Sequence, residues 1–278
     1  HDSRAVDETS LFMALAGRQT SGHKYVAQAL SRGAVAIGVE EGSLRPENAP
    51  TVVWFKTARK DMATVAARVV NDPQNTLDIV AVTGTNGKTS VTTILHAILQ
   101  QAGIKSGLIG TVSTRLGNET IPMDMTTPES TDLYRLLGRM RDHSVQIVCM
   151  EYSSVGIEEH RVEGTRPHLA LYLNLTQDHL DYHGTMLEYG AAKAKLFTAH
   201  LAEGGTALVS VDDTFGQALY NDLKETRPDI DCLSVSIRNG EADVVGQLKS
   251  SSHGIAGEVR MLRTRLQVET VLLGDFNC

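Results

Sequence analysis

Cysteine is scarce: Cys149, Cys232 and Cys278 are the three in 278 residues. Their spacing fits neither a disulfide framework nor a zinc site, which points to a reducing cytosol. Nowhere does an apolar run approach the ~20 residues needed to cross a bilayer, so a membrane span is excluded. There is no Lys/Arg block, and 26 basic against 33 acidic residues give a net charge of −7, which argues against wrapping a nucleic-acid backbone. Aromatics are few, at 5%, but 41% hydrophobic and 21% charged residues exclude a disordered or fibrous chain. Internal repeats and low-complexity tracts are absent. So is an initiating Met or signal peptide: the chain opens at His1 and stops at Leu-Gly-Asp-Phe-Asn-Cys, with the expectation that it is a piece of something longer.

What is present is an alternation of strands and helices in an α/β chain. LFMAL (11–15), AVAIGV (34–39) and TVVWF (51–55) are strand-length apolar runs. Between them, 23–32 carries Val26, Ala29 and Leu30 on one helical face, and 57–70 predicts a helix with Met62, Val65, Ala66 and Val69 inward. The polar, proline-bearing stretch 71–75 is of the sort that joins domains, which places a small N-terminal α/β domain at 1–75 and a larger one at 76–278.

The larger domain begins with an apolar strand at 79–82, a Gly-rich turn and a helix over 88–101. Val91, Ile94, Leu95, Ile98 and Leu99 keep helical spacing there, and Gly103 is placed to end the helix. Strands at 107–112, 145–150, 169–173 and 206–211 and helices at 131–142 and 186–201 predict a mostly parallel sheet, with its ligand site at the carboxyl ends of the strands. From Val235 onward, alternating runs at 244–248, 257–262 and 266–272 predict antiparallel edge strands.

The most specific local signal is Thr83-Gly84-Thr85-Asn86-Gly87-Lys88-Thr89-Ser90 between strand and helix. Backbone N–H groups of such a turn, with the helix N-terminus, surround phosphate oxygens. Lys88 would reach the β- and γ-phosphates and the Thr89 hydroxyl would ligate Mg²⁺. Position 82 is Val where the strict motif has Gly, so this is a compact variant. The alternative is a bare turn, against which strand, turn, lysine, hydroxyl and helix all stand in the required order.

Phosphate chemistry also needs a metal-holding carboxylate after an apolar strand, and Glu151 meets that requirement. Its alternative is a surface glutamate capping a strand end. Ser153-Ser154 and Glu158-Glu159-His160-Arg161 form a polar cluster suited to an anionic or amide-rich substrate, or else a solvated loop. In the 174–184 segment, His179 and His183 with Asp178 and Asp181 could hold a second Mg²⁺ or orient a phosphate, although a satisfied loop histidine is the plainer reading. Lys193, in a small-residue helical stretch, is by default a surface lysine.

Together these residues resemble the Mur ligases of peptidoglycan synthesis, in their muramoyl-tripeptide synthetase branch. VTGTNGKTS, TTPES, MEYSS, HRVEG, NLTQDHLDYHGTMLEYGAAKAKLF and LLGDFN look like that branch, in its order. DSR, LFMALAGRQTSGHKY and GAVAIGVE look like its first, uridine-nucleotide-binding domain. The resemblance implies a cytoplasmic, monomeric ATP-dependent amide ligase of cell-wall synthesis. It would join a diamino acid, meso-diaminopimelate or L-lysine, to UDP-N-acetylmuramoyl-L-alanyl-D-glutamate through an acyl phosphate.

By resemblance, Gly84 to Ser90 (Gly84, Thr85, Asn86, Gly87, Lys88, Thr89, Ser90) cradle ATP. Thr89 and Glu151 hold one Mg²⁺, His179 helps to hold a second, and Lys193 serves as a carbamate. Ser3 and Arg18-Gln19-Thr20 fall at the uridine end of the substrate. Thr126, Thr127, Ser153, Glu159 and Arg161 fall on the sugar and peptide side. Val155 and Glu159 depart from the family's histidine and glutamine. The family's third, amino-acid-binding domain is expected to lie outside this chain, which alone is expected to bind ATP and UDP-dipeptide weakly and not to ligate. The competing readings are a folylpolyglutamate-synthetase-like ligase, against which DSR and TTPES argue, and a non-catalytic nucleotide-binding fragment.

Overall fold

A computed structural model describes residues 1–17, 21–117, 119–261 and 264–272. In the first unit, β1 (Leu11–Met13), α1 (Val26–Ser31), β2 (Ala36–Glu40), β3 (Val52–Phe55) and α2 (Ala58–Val69) build a three-stranded parallel sheet in the order β1-β2-β3. Phe12, Ala29, Ile37 and Val39 are buried on one side of this sheet, and Met13, Leu15, Ala58 and Met62 form a second small core.

The second unit runs β4 (Asp78–Thr83), α3 (Lys88–Gln101), β5 (Ser106–Ile109), β6 (Thr114–Leu116), β7 (Glu119–Ile121), α4 (Ser130–Asp142), β8 (Ile147–Glu151), α5 (Ser154–Glu158), β9 (Leu169–Tyr172), α6 (Leu180–His183), α7 (Met186–Lys195), β10 (Thr206–Ser210), α8 (Thr214–Thr226), β11 (Asp231–Ser236), β12 (Val244–Ser251), β13 (Gly254–Met261) and β14 (Thr264–Thr270). They form one eleven-stranded sheet, β14-β13-β12-β11-β10-β9-β4-β8-β5-β6-β7. Its centre is parallel, and β6-β7 and β13-β14 add antiparallel edges. β4 lies between β8 and β9, with Val82 opposite Glu151 and Thr83 opposite Tyr172. The carboxyl ends of these three strands therefore open on the same edge, where a parallel sheet presents its loops to a ligand.

Several elements differ from their predicted form. α2 buries Ala58, Met62, Ala63 and Ala67 but leaves Val69 76% exposed. The reason is that α2 serves two cores: Met62 faces the first sheet, while Ala63 and Ala67, small enough for close helix approach, join the large core with Leu133 and Leu137 of α4. α3 keeps its predicted bounds but buries Thr92 and His96, leaving Ile94 and Ile98 exposed. Those buried polar groups are satisfied: Thr92 Oγ1 donates to Lys88 O (3.0 Å), and His96 Nδ1 and Ser106 Oγ are hydrogen-bonded at 2.9 Å. The helix predicted over 186–201 becomes α7 followed by a π-helical turn at Leu196–His200. β6, β7, α5, α6, α8 and β11 have no counterpart in the sequence reading.

The stretch at 71–75 is ordered. Asn71 and Asp72 take φ of 58° and 48°, Pro73 is buried, and Arg141 of α4 donates to the carbonyls of Val70 (2.6 Å) and Asn71 (3.3 Å). No helix among the described residues is long and apolar enough to cross a membrane.

Candidate functional site

Where β4 ends, Thr83 Oγ1 donates to Tyr152 O at 2.8 Å, tying the turn to the end of β8. The next residue must be glycine: Gly84 has φ +155°, and a Cβ there would lie 2.9 Å from Leu173 Cβ. Gly87, at φ +88°, takes the left-handed conformation that starts α3 at Lys88. Asn174, just past β9, holds the turn between these glycines. Its Oδ1 accepts from Thr85 N (3.1 Å) and Asn86 N (2.9 Å), and its Nδ2 donates to Asn86 O (3.1 Å). Thr85 Oγ1 in turn donates to Thr176 O (3.1 Å) and accepts from Thr176 N (3.0 Å).

Two lysines converge on this turn. Lys88 Nζ donates to Gly84 O (2.8 Å) and Thr85 O (2.9 Å). Lys193 Nζ, from α7, donates to the same Gly84 carbonyl at 2.9 Å and sits 4.2 Å above the Tyr189 ring. Lys193 is 1% exposed, so the default reading of a surface lysine does not hold. Burial, and then the Lys88 charge, pull its ammonium down to about 7, with Asp178 opposing. Lys88 is also lowered by burial, with Glu151 and Asp178 opposing.

Glu151 is fully buried, not a surface cap. Its Oε1 accepts from Thr111 N (2.9 Å) and its Oε2 from Thr111 Oγ1 (3.1 Å). Gly110 makes room for it, since a Cβ there would stand 2.2 Å from Oε1. Thr111 Oγ1 also meets Thr126 Oγ1 at 2.9 Å. The buried Thr127 hydroxyl donates to Glu151 O and accepts from Ser153 N and Oγ, each at 3.0 Å. Arg161 Nη1 donates to Thr127 O (3.2 Å), and its Nε lies 3.1 Å from Glu129 Oε1 as an ion pair, not an aligned hydrogen bond. Glu159 Oε1 accepts from Tyr182 OH (2.9 Å).

Of the residues singled out in the sequence, the structure thus gathers Gly84 to Lys88, Glu151 and Lys193 at the turn, with Thr126, Thr127, Ser153, Glu159 and Arg161 in a strip beside them. Thr89 and Ser90 sit in the first turn of α3. His179 is exposed at φ +52° with its Nε2 3.6 Å from Asp178 Oδ2, whereas His183 is buried against Ser154 Oγ at 2.9 Å. Ser3 belongs to the first unit, where its Oγ donates to Gln28 Oε1 (2.7 Å). Arg18, Gln19 and Thr20 lie outside the described residues, as does 273–278 of the closing motif.

Among the described residues no three His, Cys, Asp or Glu side chains come together as a metal site. A buried carboxylate beside the glycine turn and the Thr89 hydroxyl is nonetheless the sparse oxygen set that suits Mg²⁺, which keeps waters and phosphate oxygens as its other ligands. A depression of about 700 Å³ lined by His23, Leu30, Leu44 and Arg45 lies in the first unit, away from this chemistry. The sequence reading missed Asn174, Thr111 and Gly110. The one available signal was an asparagine heading the NLTQD segment, whose amide can bond both polar groups of a peptide.

Residues 1–75 match the family model described as "Mur ligase family, catalytic domain", and residues 82–278 match "Mur ligase middle domain". A curated relative from Geobacter metallireducens, named UDP-N-acetylmuramoyl-L-alanyl-D-glutamate--2,6-diaminopimelate ligase, is 43% identical over 228 residues, covering 80% of this chain and 44% of the relative. A relative of the same name from Geobacillus thermodenitrificans is 39% identical over 284 residues, covering 99% and 56%. A solved structure bearing that enzyme name superimposes with a TM-score of 0.85 at 28% identity, over 99% of this chain and 56% of that one. The chain therefore spans about half the length of the relatives it matches.

Proposed function

As the chain belongs to the Mur ligase family, we propose that the full protein carrying it is an ATP-dependent amide ligase that extends UDP-N-acetylmuramoyl-L-alanyl-D-glutamate by one diamino acid. The names of its relatives favour 2,6-diaminopimelate over L-lysine. The observation that carries the reading is the convergence of Lys88 and Lys193 on the Gly84 carbonyl. One lysine whose charge the buried Glu151 supports, and a second that burial leaves partly neutral, both at one glycine turn, suit a site that binds phosphate beside a carbamate.

In this reading the turn from Gly84 to Ser90, including Thr85, Asn86 and Gly87, cradles ATP, and Lys88 neutralises charge on its transferring phosphate. A substrate carboxylate oxygen attacks the γ-phosphorus, the bond to the β-phosphate oxygen breaks, and ADP leaves. The diamino acid's amine then attacks the acyl carbon, inorganic phosphate departs, and the amide forms. When bound, Mg²⁺ supplies the charge screening that lets one anion approach another. Thr89 and Glu151 would hold one such ion; His179 and Lys193, as its carbamate, would hold a second.

Carbamate formation needs a neutral amine that attacks the carbon of CO₂ and loses a proton. Burial of Lys193 supports this, because it keeps much of the amine neutral near pH 7. Ser3 and the Arg18-Gln19-Thr20 segment would take the uridine end of the substrate. Thr126, Thr127, Ser153, Glu159 and Arg161 would take the sugar and peptide. On this reading 1–75 would take the uridine nucleotide, 76–278 would take ATP and a further domain the amino acid, and the protein would be a cytoplasmic monomer.

The test is ADP release by the full-length protein. It should require both UDP-dipeptide and diaminopimelate; release indifferent to either substrate would contradict the proposal.

A further inference from the structure

Arg59 enters the substrate strip from the first unit. It is the second residue of α2, and its Nη1 lies 2.9 Å from Glu159 Oε2 and 3.4 Å from Glu129 Oε2. Each carboxylate is committed on its other oxygen. Glu159 Oε1 accepts from Tyr182 OH at 2.9 Å, and Glu129 Oε1 lies 3.1 Å from Arg161 Nε. Arg161 then reaches Thr127 O, and the Thr127 hydroxyl reaches Glu151 O and Ser153. A single guanidinium thus stands behind both sides of the strip: the Thr127–Arg161 side, and α6 with Tyr182.

The side chains of Arg59, Glu129 and Glu159 are 25%, 11% and 15% exposed, so this is not a screened surface pair whose partners move freely. Without Arg59, Glu159 would lose this ion pair and Glu129 would keep Arg161 alone, so two carboxylates largely withdrawn from water would be drawn toward solvent, away from Tyr182 and Arg161. A planar guanidinium spans two carboxylates in a fixed geometry that a lysine ammonium does not reproduce.

We propose that Arg59 is a positioning residue for the UDP-dipeptide substrate: it sets Glu129 and Glu159, and through them Arg161 and Tyr182, without touching the reacting atoms. The proposal rests on the ligase reading above. Its test is steady-state kinetics of the full-length protein with Arg59→Met and Arg59→Lys. In Arg59→Met, KM for UDP-dipeptide should rise about tenfold while KM for ATP stays within about twofold and kcat falls by less than about threefold, a split that a general loss of structure does not produce. Arg59→Lys, which keeps the charge, should recover part of that KM. An unchanged UDP-dipeptide KM, a parallel rise in KM for ATP, or a lysine variant no better than methionine would overturn the proposal. If the wild-type protein releases no ADP in response to UDP-dipeptide, the ligase reading falls and takes this inference with it. If the wild type is active and Arg59→Met matches it, only this inference falls.

Discussion

Lys193 is a stability cost carried at the site. Its ammonium is held near 7 in the folded chain against 10.5 when exposed, so between those pH values the unfolded chain binds more protons and stability rises with pH. Below about 7 both states are protonated and the full cost of burying the charge is present. Lys193→Met, which keeps the packing and removes the charge, should stabilise the protein at pH 7 in CO₂-free buffer by roughly 2–4 kcal/mol, a gain that shrinks toward pH 10.5. Urea denaturation at a series of pH values measures it, and equal stability at pH 7 would contradict the burial argument. The same variant should lose ligase activity in the full-length protein. Residues with a motif, such as Gly84, Gly87 and Lys88, were legible in the sequence because phosphate chemistry demands those types in that order. Lys193, Asn174 and Arg59 were less so, since each takes its meaning from partners more than 69 positions away.

At the scale of elements, the glycine turn before α3 borrows its shape from the segment after β9. Asn174→Ala removes three hydrogen bonds to Thr85 and Asn86, each worth about 1 kcal/mol net, so affinity for an ATP analogue should fall at least about tenfold. Calorimetric titration would show this, and unchanged affinity would mean that the glycines alone shape the turn. α3 was readable to its bounds because Gly87 and Gly103, both at positive φ, bracket it. Its buried face was not: hydrophobic periodicity points to Ile94 and Ile98, whereas the helix turns Thr92 and His96 inward, where hydrogen bonds compensate their burial. α2 misled for a related reason. A helix shared by two cores buries alanines on its second face, and alanine carries little weight in an apolar pattern.

At the scale of the whole molecule, the parallel centre of the large sheet gathers the site, because β4, β8 and β9 end side by side with the turn, Glu151 and Asn174 at their tips. The alternation of strands and helices made that arrangement legible. The antiparallel edge β6-β7 was not, being three residues per strand with no room for a pattern. The first unit is fixed to the second by Arg59, by Lys60 Nζ at 3.3 Å from Glu163 Oε1, and by the docked stretch at 71–75. In the proposed reaction these parts activate a carboxylate by phosphorylating it, and an isotope transfer reads that step out. UDP-dipeptide labelled with heavy oxygen in the reacting carboxylate is turned over by the full-length protein with ATP and diaminopimelate, and the released phosphate is analysed by mass. Each phosphate released should carry one labelled oxygen; phosphate free of label would mean that the carboxylate is not phosphorylated.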